Sequence, residues 1–221
     1  MGDTYKTGDR RPIASREWKL SQTVARRLVE RGVSPDGISV AGMMAGLAAG
    51  ACLVGTAQAG RSERILWVAG AVLIQLRLLA NMFDGMVAIE AKRASPVGEL
   101  FNEAPDRVSD SAVLIGLGFA ANGSPLLGLT AALTAMFTAY VRAIGKVAGA
   151  AQEFCGPMAK QQRMFLVTAI ALFCAVAPQR WRFVSDVSIV QLALALMILG
   201  CIWTALRRLR RAGKALRAKT P

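Results

Sequence analysis

The sequence predicts an all-α integral membrane protein, with six transmembrane helices preceded by an N-terminal amphipathic helix at the membrane interface. Three observations support this fold class. Apolar residues make up 54% of the 221 positions, and the mean hydropathy is +0.41. Long apolar stretches follow one another and approach the length needed to cross a bilayer. Finally, the formal net charge is +13, as expected for a membrane protein that faces anionic lipid on one side.

The first predicted element is a helix from about 15 to 31, after a polar segment, 1–12. Leu20, Val24 and Leu28 fall on one stripe of this helix, whereas four arginines lie elsewhere: Arg16, Arg26, Arg27 and Arg31. An apolar stripe with arginines beside it is typical of a helix lying on the membrane surface. A soluble helix packed on a cytosolic partner is the alternative. The N-terminus has no hydrophobic core, so a cleavable signal peptide is not expected.

The apolar stretches predict spans at about 37–59, 65–90, 104–121, 126–149, 162–177 and 184–205. Ser34 and Pro35 resemble a helix start, with a serine cap and proline in the first turn. The segment 122–125, Asn-Gly-Ser-Pro, predicts a tight turn. We therefore divide the chain into a cytosolic segment with the amphipathic helix (1–33), a six-helix membrane domain (34–206) and a basic cytosolic tail (207–221).

Orientation follows from the distribution of lysine and arginine. The first 34 residues hold eight of them and the tail after Trp203 holds seven. The turns after the first and fifth spans hold two each: Arg61 and Arg64, and Arg180 and Arg182. By the positive-inside rule both termini are cytoplasmic, which requires an even number of spans. The expected location is a bacterial inner or cell membrane, and the basic charge is assigned to lipid rather than to nucleic acid.

Carboxylates are concentrated between the second and third spans. The stretch 81–110 holds six of the fourteen acidic residues: Asp84, Glu90, Glu99, Glu103, Asp106 and Asp110. Ionisable groups at membrane depth are costly and are usually functional. A purely structural interpretation is the alternative, in which the turn is a solvated loop and Asn102 with Pro105 forms a helix N-cap. This interpretation does not suit Asp84, because about 20 mostly apolar residues precede it and a carboxylate there has no structural role.

Helical spacing gathers the polar side chains of this stretch into two stripes. Arg77, Asn81, Asp84 and Ala88 step by four, three and four residues, and Asn102, Asp106 and Asp110 step by four. Two helices facing each other through these stripes would form a pocket of hard oxygen ligands. Because the chain contains no histidine, such a pocket favours magnesium, manganese or calcium over zinc.

The same stretch resembles the motif of the CDP-alcohol phosphotransferase (CDP-alcohol phosphatidyltransferase) family, D-x2-D-G-x2-A-R-x8-G-x3-D-x3-D. Every interval agrees, and the matching positions are Asn81, Asp84, Gly85, Ala88, Ile89, Gly98, Asn102 and Asp106. Asn81 and Asn102 stand where the family has aspartates, and Ile89 stands at the arginine. The segment 34–39, SPDGIS, is similar to the T-P-N-x-I-T start of the family's first membrane helix.

The resemblance implies transfer of a phosphatidyl or similar phosphoalcohol group from a CDP-alcohol to an acceptor alcohol, with release of CMP. The expected donor is CDP-diacylglycerol, the cofactor is Mg²⁺ or Mn²⁺, and a homodimer stays open. Asp84, Asn81, Asn102 and Asp106 would bind the metal, with Asp84 and Asp106 also carrying the chemistry and Asp106 as general base. The residues that would contact substrate are Gly85, Ala88, Gly98, Arg77, Arg142, Lys160 and Arg163.

The two asparagines reduce the charge at the four metal positions from −4 to −2. Glu103, beside Asn102, is our candidate for restoring a charge, and Glu103→Gln is expected to shift the activating metal concentration about tenfold. Asp110, one turn beyond Asp106, is a second candidate. The same departures favour an alternative function, a non-catalytic membrane protein of this fold that binds lipid or nucleotide. A transporter is a weaker option, because the chain shows no internal repeat.

Overall fold

The computed structural model describes residues 18–91 and 96–218, which form a helical bundle. The helices are α1 (Lys19–Glu30), α2 (Pro35–Gly55), α3 (Glu63–Glu90), α4 (Pro96–Gly118), α5 (Pro125–Val147), α6 (Lys160–Val176) and α7 (Ile189–Arg217). Short 3₁₀ turns cover Gly60–Ser62 and Gln179–Arg182. Two strands, β1 (Phe183–Val184) and β2 (Val187–Ser188), pair as an antiparallel hairpin. The all-α membrane fold is thus confirmed apart from this small hairpin, which the sequence did not predict.

Four segments of the described chain are long and apolar enough to cross a membrane: Pro35–Gly55, Gly60–Glu90, Pro125–Val147 and Ile189–Arg217. Two further helices lie between them in sequence but do not share this composition. Helix α4 carries the acidic stripe, and α6 has only 17 residues. The count of six spans therefore stays a prediction. Helix α1 covers most of the predicted amphipathic segment and packs against α3.

The helix starts follow local capping rules. Ser34 Oγ accepts a hydrogen bond of 3.1 Å from the Gly37 amide, and Pro35 occupies the first turn of α2. The same arrangement recurs at α5, where Ser124 accepts from the Leu127 amide at 3.5 Å. A proline in the first turn loses no intrahelical hydrogen bond, and the serine satisfies a free N–H group. The predicted cap at 34–35 and the turn at 122–125 are confirmed.

Two boundaries differ from the sequence-based ones. Helix α4 begins at Pro96 rather than near 104, so the N-cap interpretation of Asn102 is wrong and Pro105 lies inside the helix. Proline removes one intrahelical hydrogen bond at this point. The next residue, Asp106, accepts hydrogen bonds from Arg77 and Asn81 on α3. Helix α7 begins at Ile189, after the hairpin, and the basic segment at its end is helical as far as Arg217.

The bundle is organised around α2, α3 and α4. Helix α2 packs on both α3 and α4, α4 packs on α5, α5 on α7, and α3 on α6. The buried core between them contains Leu53, Trp67, Ile74, Leu114, Met164, Leu194 and Met197. At the end opposite to Asp84, the Trp67 indole donates to Glu63 at 2.9 Å, and Glu63 also pairs with Arg182. The start of α3 therefore contacts the segment before the hairpin at this end of the bundle.

Glycines allow α2 and α4 to approach closely. A Cβ atom on Gly50 would lie 2.5 Å from the Ala112 carbonyl oxygen, and one on Gly116 would lie 2.5 Å from the Gly50 carbonyl oxygen. Carbon atoms do not approach an oxygen so closely without displacement of the backbone. The distance between α2 and α4 therefore depends on these two glycines.

Gly50→Ala is expected to destabilise the protein by about 1–3 kcal/mol, because the added methyl group forces α2 and α4 apart. For a domain of this size that corresponds to a fall of roughly 2–12 °C in the thermal unfolding midpoint in detergent. Gly213→Ala is the matched control, since a Cβ there meets nothing within 4 Å and alanine favours the helix. Equal midpoints for the two variants would show that the close approach does not limit stability.

Candidate active site

A small cleft opens where the ends of α2, α3 and α4 meet. It is lined by Ser39, Gly42, Met43, Arg77, Asn81, Asp84, Asn102, Pro105 and Asp106. The C-terminal part of α3 and the N-terminal part of α4 supply most of these residues, as the two polar stripes predict. The structure therefore brings together the four motif positions 81, 84, 102 and 106.

The asparagines of the motif are joined to each other and to Asp106. Asn81 Nδ2 donates to Asn102 Oδ1 at 3.0 Å and to Asp106 Oδ2 at 3.1 Å. The Asn81 carbonyl oxygen faces α6, where it accepts a hydrogen bond of 2.6 Å from Lys160 Nζ. Lys160 Nζ also forms an ion pair with Asp106 Oδ2. Asn81, Asn102, Asp106 and Lys160 thus form one hydrogen-bonded group.

Next to this group, a buried series of ion pairs joins α3, α4 and α6. Arg77 Nη2 is 3.1 Å from Asp106 Oδ1 and 2.7 Å from Asp110 Oδ1. Arg163 Nη2 is 3.1 Å from the other Asp110 oxygen, and Ser109 Oγ accepts from Arg77 Nε at 2.8 Å. The two arginines are 1% and 2% exposed and Asp110 is 3% exposed. Arg77 therefore fixes the orientation of Asp106, while Asp110 joins α4 to both α3 and α6.

Asp84 differs from the other carboxylates because no cation pairs with it in the described part of the chain. Its Oδ2 atom accepts a hydrogen bond of 2.8 Å from Ser39 Oγ. Its Oδ1 atom is buried and has no hydrogen-bond partner among the described residues, although the side chain lines the cleft. A buried carboxylate oxygen without a donor is costly, so this atom is suited to a ligand that carries positive charge.

Glu103 lies on another side of α4 from this group. Its two carboxylate oxygens accept from Arg142 Nη2 at 2.5 Å and from Arg107 Nη2 at 2.8 Å, and the Arg142 guanidinium stacks 5.4 Å from the centre of the Phe154 ring. Metal binding by Glu103 would require breaking an ion pair with arginine. Its compensating role stays a prediction, but the arginine contacts favour the opposite outcome, in which Glu103→Gln binds metal like the parent protein.

The remaining motif positions lie along the same two helices. Gly85 is buried next to Asp84, Ala88 is half-buried one turn later, and Gly98 lies in the first turn of α4. Ile89, at the position where the family has arginine, is 47% exposed. An isoleucine there presents apolar surface and supplies no charge.

Two contributors were not singled out from the sequence. Ser39 holds Asp84, and Ser109 holds Arg77. For Ser39 a signal existed, because it is the final position of the SPDGIS segment and corresponds to the hydroxyl-bearing threonine of the T-P-N-x-I-T pattern. Ser109 carries no such signal, since a serine within a helix is unremarkable without its contacts.

The donor atoms fit a divalent cation in part. Among the described residues, no three acidic or cysteine side chains converge as a metal-binding group. The four motif side chains nevertheless offer carboxylate and amide oxygens, which suit magnesium or manganese, and Asp84 Oδ1 is a buried oxygen without a donor. The fit is therefore good at Asp84 and poorer at Asn81, Asn102 and Asp106, whose oxygens already accept hydrogen bonds.

Solved structures of Mycobacterium tuberculosis phosphatidylinositol phosphate synthase have the same fold. The structure with CDP-DAG bound superposes with a TM-score of 0.67 at 22% identity, covering 88% of this chain and 94% of that one. The complex with manganese and citrate gives a TM-score of 0.71 at 20% identity, covering 88% and 90%. At this level of identity the likeness establishes a common fold.

Curated relatives agree with the motif. The phosphatidylinositol phosphate synthase of Mycolicibacterium smegmatis is 32% identical over 137 residues, covering 59% of this chain and 58% of the relative. The inner membrane protein YnbA of Escherichia coli is 23% identical over 185 residues, covering 83% and 86%. No protein-family model matches the sequence. The chain is therefore similar in fold and sequence to phosphatidylinositol phosphate synthases, and its motif intervals resemble those of the CDP-alcohol phosphatidyltransferase family.

Proposed function

We propose that the protein transfers a phosphatidyl group from CDP-diacylglycerol to an acceptor alcohol and releases CMP, in phospholipid biosynthesis. The observation that carries this proposal is the cleft at the end of the bundle, where the buried Asp84 lies beside Asp106 within the family motif. The reaction requires Mg²⁺ or Mn²⁺. When bound, the cation offsets negative charge on the pyrophosphate and on the departing CMP.

In the proposed reaction, each residue of the cleft has its own role. Asp84 would hold the cation through Oδ1, which has no hydrogen-bond donor among the described residues, and Ser39 holds its other oxygen in place. Asp106 accepts the proton of the attacking hydroxyl, and Arg77 keeps its carboxylate oriented. Gly85, Ala88 and Gly98 keep the neighbouring helix surfaces small, so that the nucleotide can approach the backbone.

Basic residues around the cleft are proposed to meet phosphate. Lys160 lies against Asn81 and Asp106, and Arg142 lies on α5 beside Glu103 with 18% of its side chain exposed, so both can face an incoming anion. Arg163 is 2% exposed and bound to Asp110. Its contribution is therefore to hold α6 and Lys160 in position rather than to contact the acceptor.

CMP release by the purified protein tests the activity. CDP-diacylglycerol and Mn²⁺ are supplied with inositol phosphate, glycerol 3-phosphate, serine or glycerol in turn. Inositol phosphate is included because the M. smegmatis relative is named a phosphatidylinositol phosphate synthase. We expect CMP with one of these acceptors. Binding of CDP-diacylglycerol without CMP from any acceptor would favour the non-catalytic alternative, which the asparagines at 81 and 102 support.

For topology we propose six spans, with both termini in the cytoplasm and a membrane domain covering 34–206. The distribution of lysine and arginine supports this arrangement, as does the alternation of helix ends, which brings the starts of α2, α4 and α6 to one end of the bundle. Single cysteines at Arg10, Ala215 and Ser62 in a chain without the four native cysteines test it. We expect cytoplasmic labelling at the first two and external labelling at Ser62. A homodimer remains a prediction.

A further inference from the structure

The position of Lys160 bears on how many metal ions the cleft can hold. Its ammonium group lies between Asn81 Oδ1 and Asp106 Oδ2, the oxygens of the first and fourth motif positions. A cation that bridged these two side chains would lie in the same place. The lysine enters from α6, outside the motif, so the motif letters alone give no sign of it.

The asparagine at position 81 matches this lysine. Its carbonyl oxygen accepts from Lys160, and its amide nitrogen donates to Asn102 and Asp106. Rotating the amide by 180° would place two donors against each other at Lys160, so the hydrogen bonds settle its orientation. An aspartate at this position has no donor for Asp106 Oδ2 and would add a second negative charge beside it. Asn81 and Lys160 therefore form a consistent pair.

The charges around the cleft lead to the same conclusion. Three cations, Arg77, Lys160 and Arg163, are in contact with two carboxylates, Asp106 and Asp110, and Asp84 supplies a third negative charge nearby. These six side chains are neutral as a group. One divalent cation together with the two negative charges of a CDP-alcohol pyrophosphate keeps the group neutral, whereas a second cation leaves two positive charges uncompensated in a buried setting.

We propose that this protein holds a single divalent cation, at Asp84, and that the ammonium group of Lys160 occupies the place of a second one. The inference rests on the proposed function, because it assigns the metal of that same reaction. The Asp84 oxygen without a donor is the independent observation that points to a bound cation, since the residue is 2% exposed and lines the cleft.

Manganese binding to the purified protein in detergent tests the proposal without an activity assay. Metal content after equilibrium dialysis should give one Mn²⁺ per chain. The electron paramagnetic resonance spectrum should show an isolated ion, with no coupling between neighbouring ions. Two coupled ions per chain in the parent protein would overturn the proposal.

Variants at Lys160 separate its role from general charge effects. In Lys160→Gln, the Kd for Mn²⁺ should fall at least tenfold, because a neighbouring positive charge is removed and Asp106 Oδ2 is released. Lys214→Gln is the matched control, since Lys214 is exposed near the end of α7, and its Kd should stay within about twofold of the parent. An unchanged or higher Kd for Mn²⁺ in Lys160→Gln would overturn the role assigned to Lys160.

Aspartates at positions 81 and 102, together with removal of the Lys160 charge, should allow a second ion to bind. The variant Asn81→Asp/Asn102→Asp/Lys160→Gln should bind two Mn²⁺ ions per chain, with a spectrum that shows their coupling. If it remains folded by size exclusion and binds one, the proposal is wrong. If the triple variant does not fold, the proposal is judged by the number of Mn²⁺ ions per parent chain and by the Kd of Lys160→Gln for Mn²⁺.

Glu103→Gln and CMP release separate the remaining possibilities. Both Glu103 oxygens already accept from arginine, so the Mn²⁺ affinity of Glu103→Gln should stay within about threefold of the parent. A tenfold loss of affinity would make Glu103 a ligand and overturn the assignment to Asp84 alone.

CMP release with two bound ions overturns this inference but leaves the proposed function standing. No Mn²⁺ binding and no CMP from any acceptor would remove both.

Discussion

Asp84→Asn is expected to lower the rate of CMP release by at least tenfold and to leave expression and detergent extraction unchanged. Asparagine has nearly the same shape, and its side chain can keep the hydrogen bond that Ser39 donates to Asp84. What it loses is the negative charge on a buried oxygen that has no partner in the described chain. Removing one such electrostatic contribution typically costs about 10²–10³ in rate.

Asp186→Asn is the matched control for this measurement. Asp186 lies in the turn between β1 and β2 and is exposed, at the end of the bundle opposite to the cleft, so the parental rate should be retained. If Asp84→Asn keeps more than about a tenth of the parental rate, the loss is under roughly 1.4 kcal/mol. Such a small loss would argue against a direct role for Asp84 in charge stabilisation.

The positions of the motif residues were predictable from the sequence because helical spacing is regular. Once α3 and α4 were assigned as helices, the spacing of Asn81 and Asp84, and of Asn102 and Asp106, placed them on facing stripes. The cleft that they line is observed where these stripes meet. The cap at Ser34 followed in the same way, from a rule that involves only neighbouring residues.

The partners of these residues were less predictable, because they come from helices distant in sequence. Lys160 is 79 positions from Asn81, and Arg163 is 53 positions from Asp110. A lysine and an arginine at the start of α6 are equally consistent with lipid anchoring. Likewise, nothing local shows that Glu103 pairs with Arg142 on α5 rather than with a metal. The predicted span starts later than α4 because it was taken from the apolar stretch, whereas the first turns of α4 are polar and acidic.

The largest effect on stability is expected from Asp110→Asn. Asp110 is paired with Arg77 at 2.7 Å and with Arg163 at 3.1 Å, and all three residues are at most 3% exposed. Removing the shared carboxylate leaves two buried guanidinium groups with a single neighbouring carboxylate, Asp106. Breaking a buried ion pair in this way costs about 3–5 kcal/mol. The thermal unfolding midpoint in detergent should therefore fall by roughly 6–20 °C.

Glu153→Gln is the control, because its pair with Arg211 is 3.4 Å long and Arg211 is 49% exposed, so the midpoint should hardly change. The double variant Asp110→Asn/Arg163→Met then tests the cause. If uncompensated charge is responsible, removing one of the two orphaned arginines should recover part of the lost stability, giving a favourable coupling between the substitutions. Strictly additive losses would instead mean that Asp110 and Arg163 stabilise the bundle through separate packing contacts.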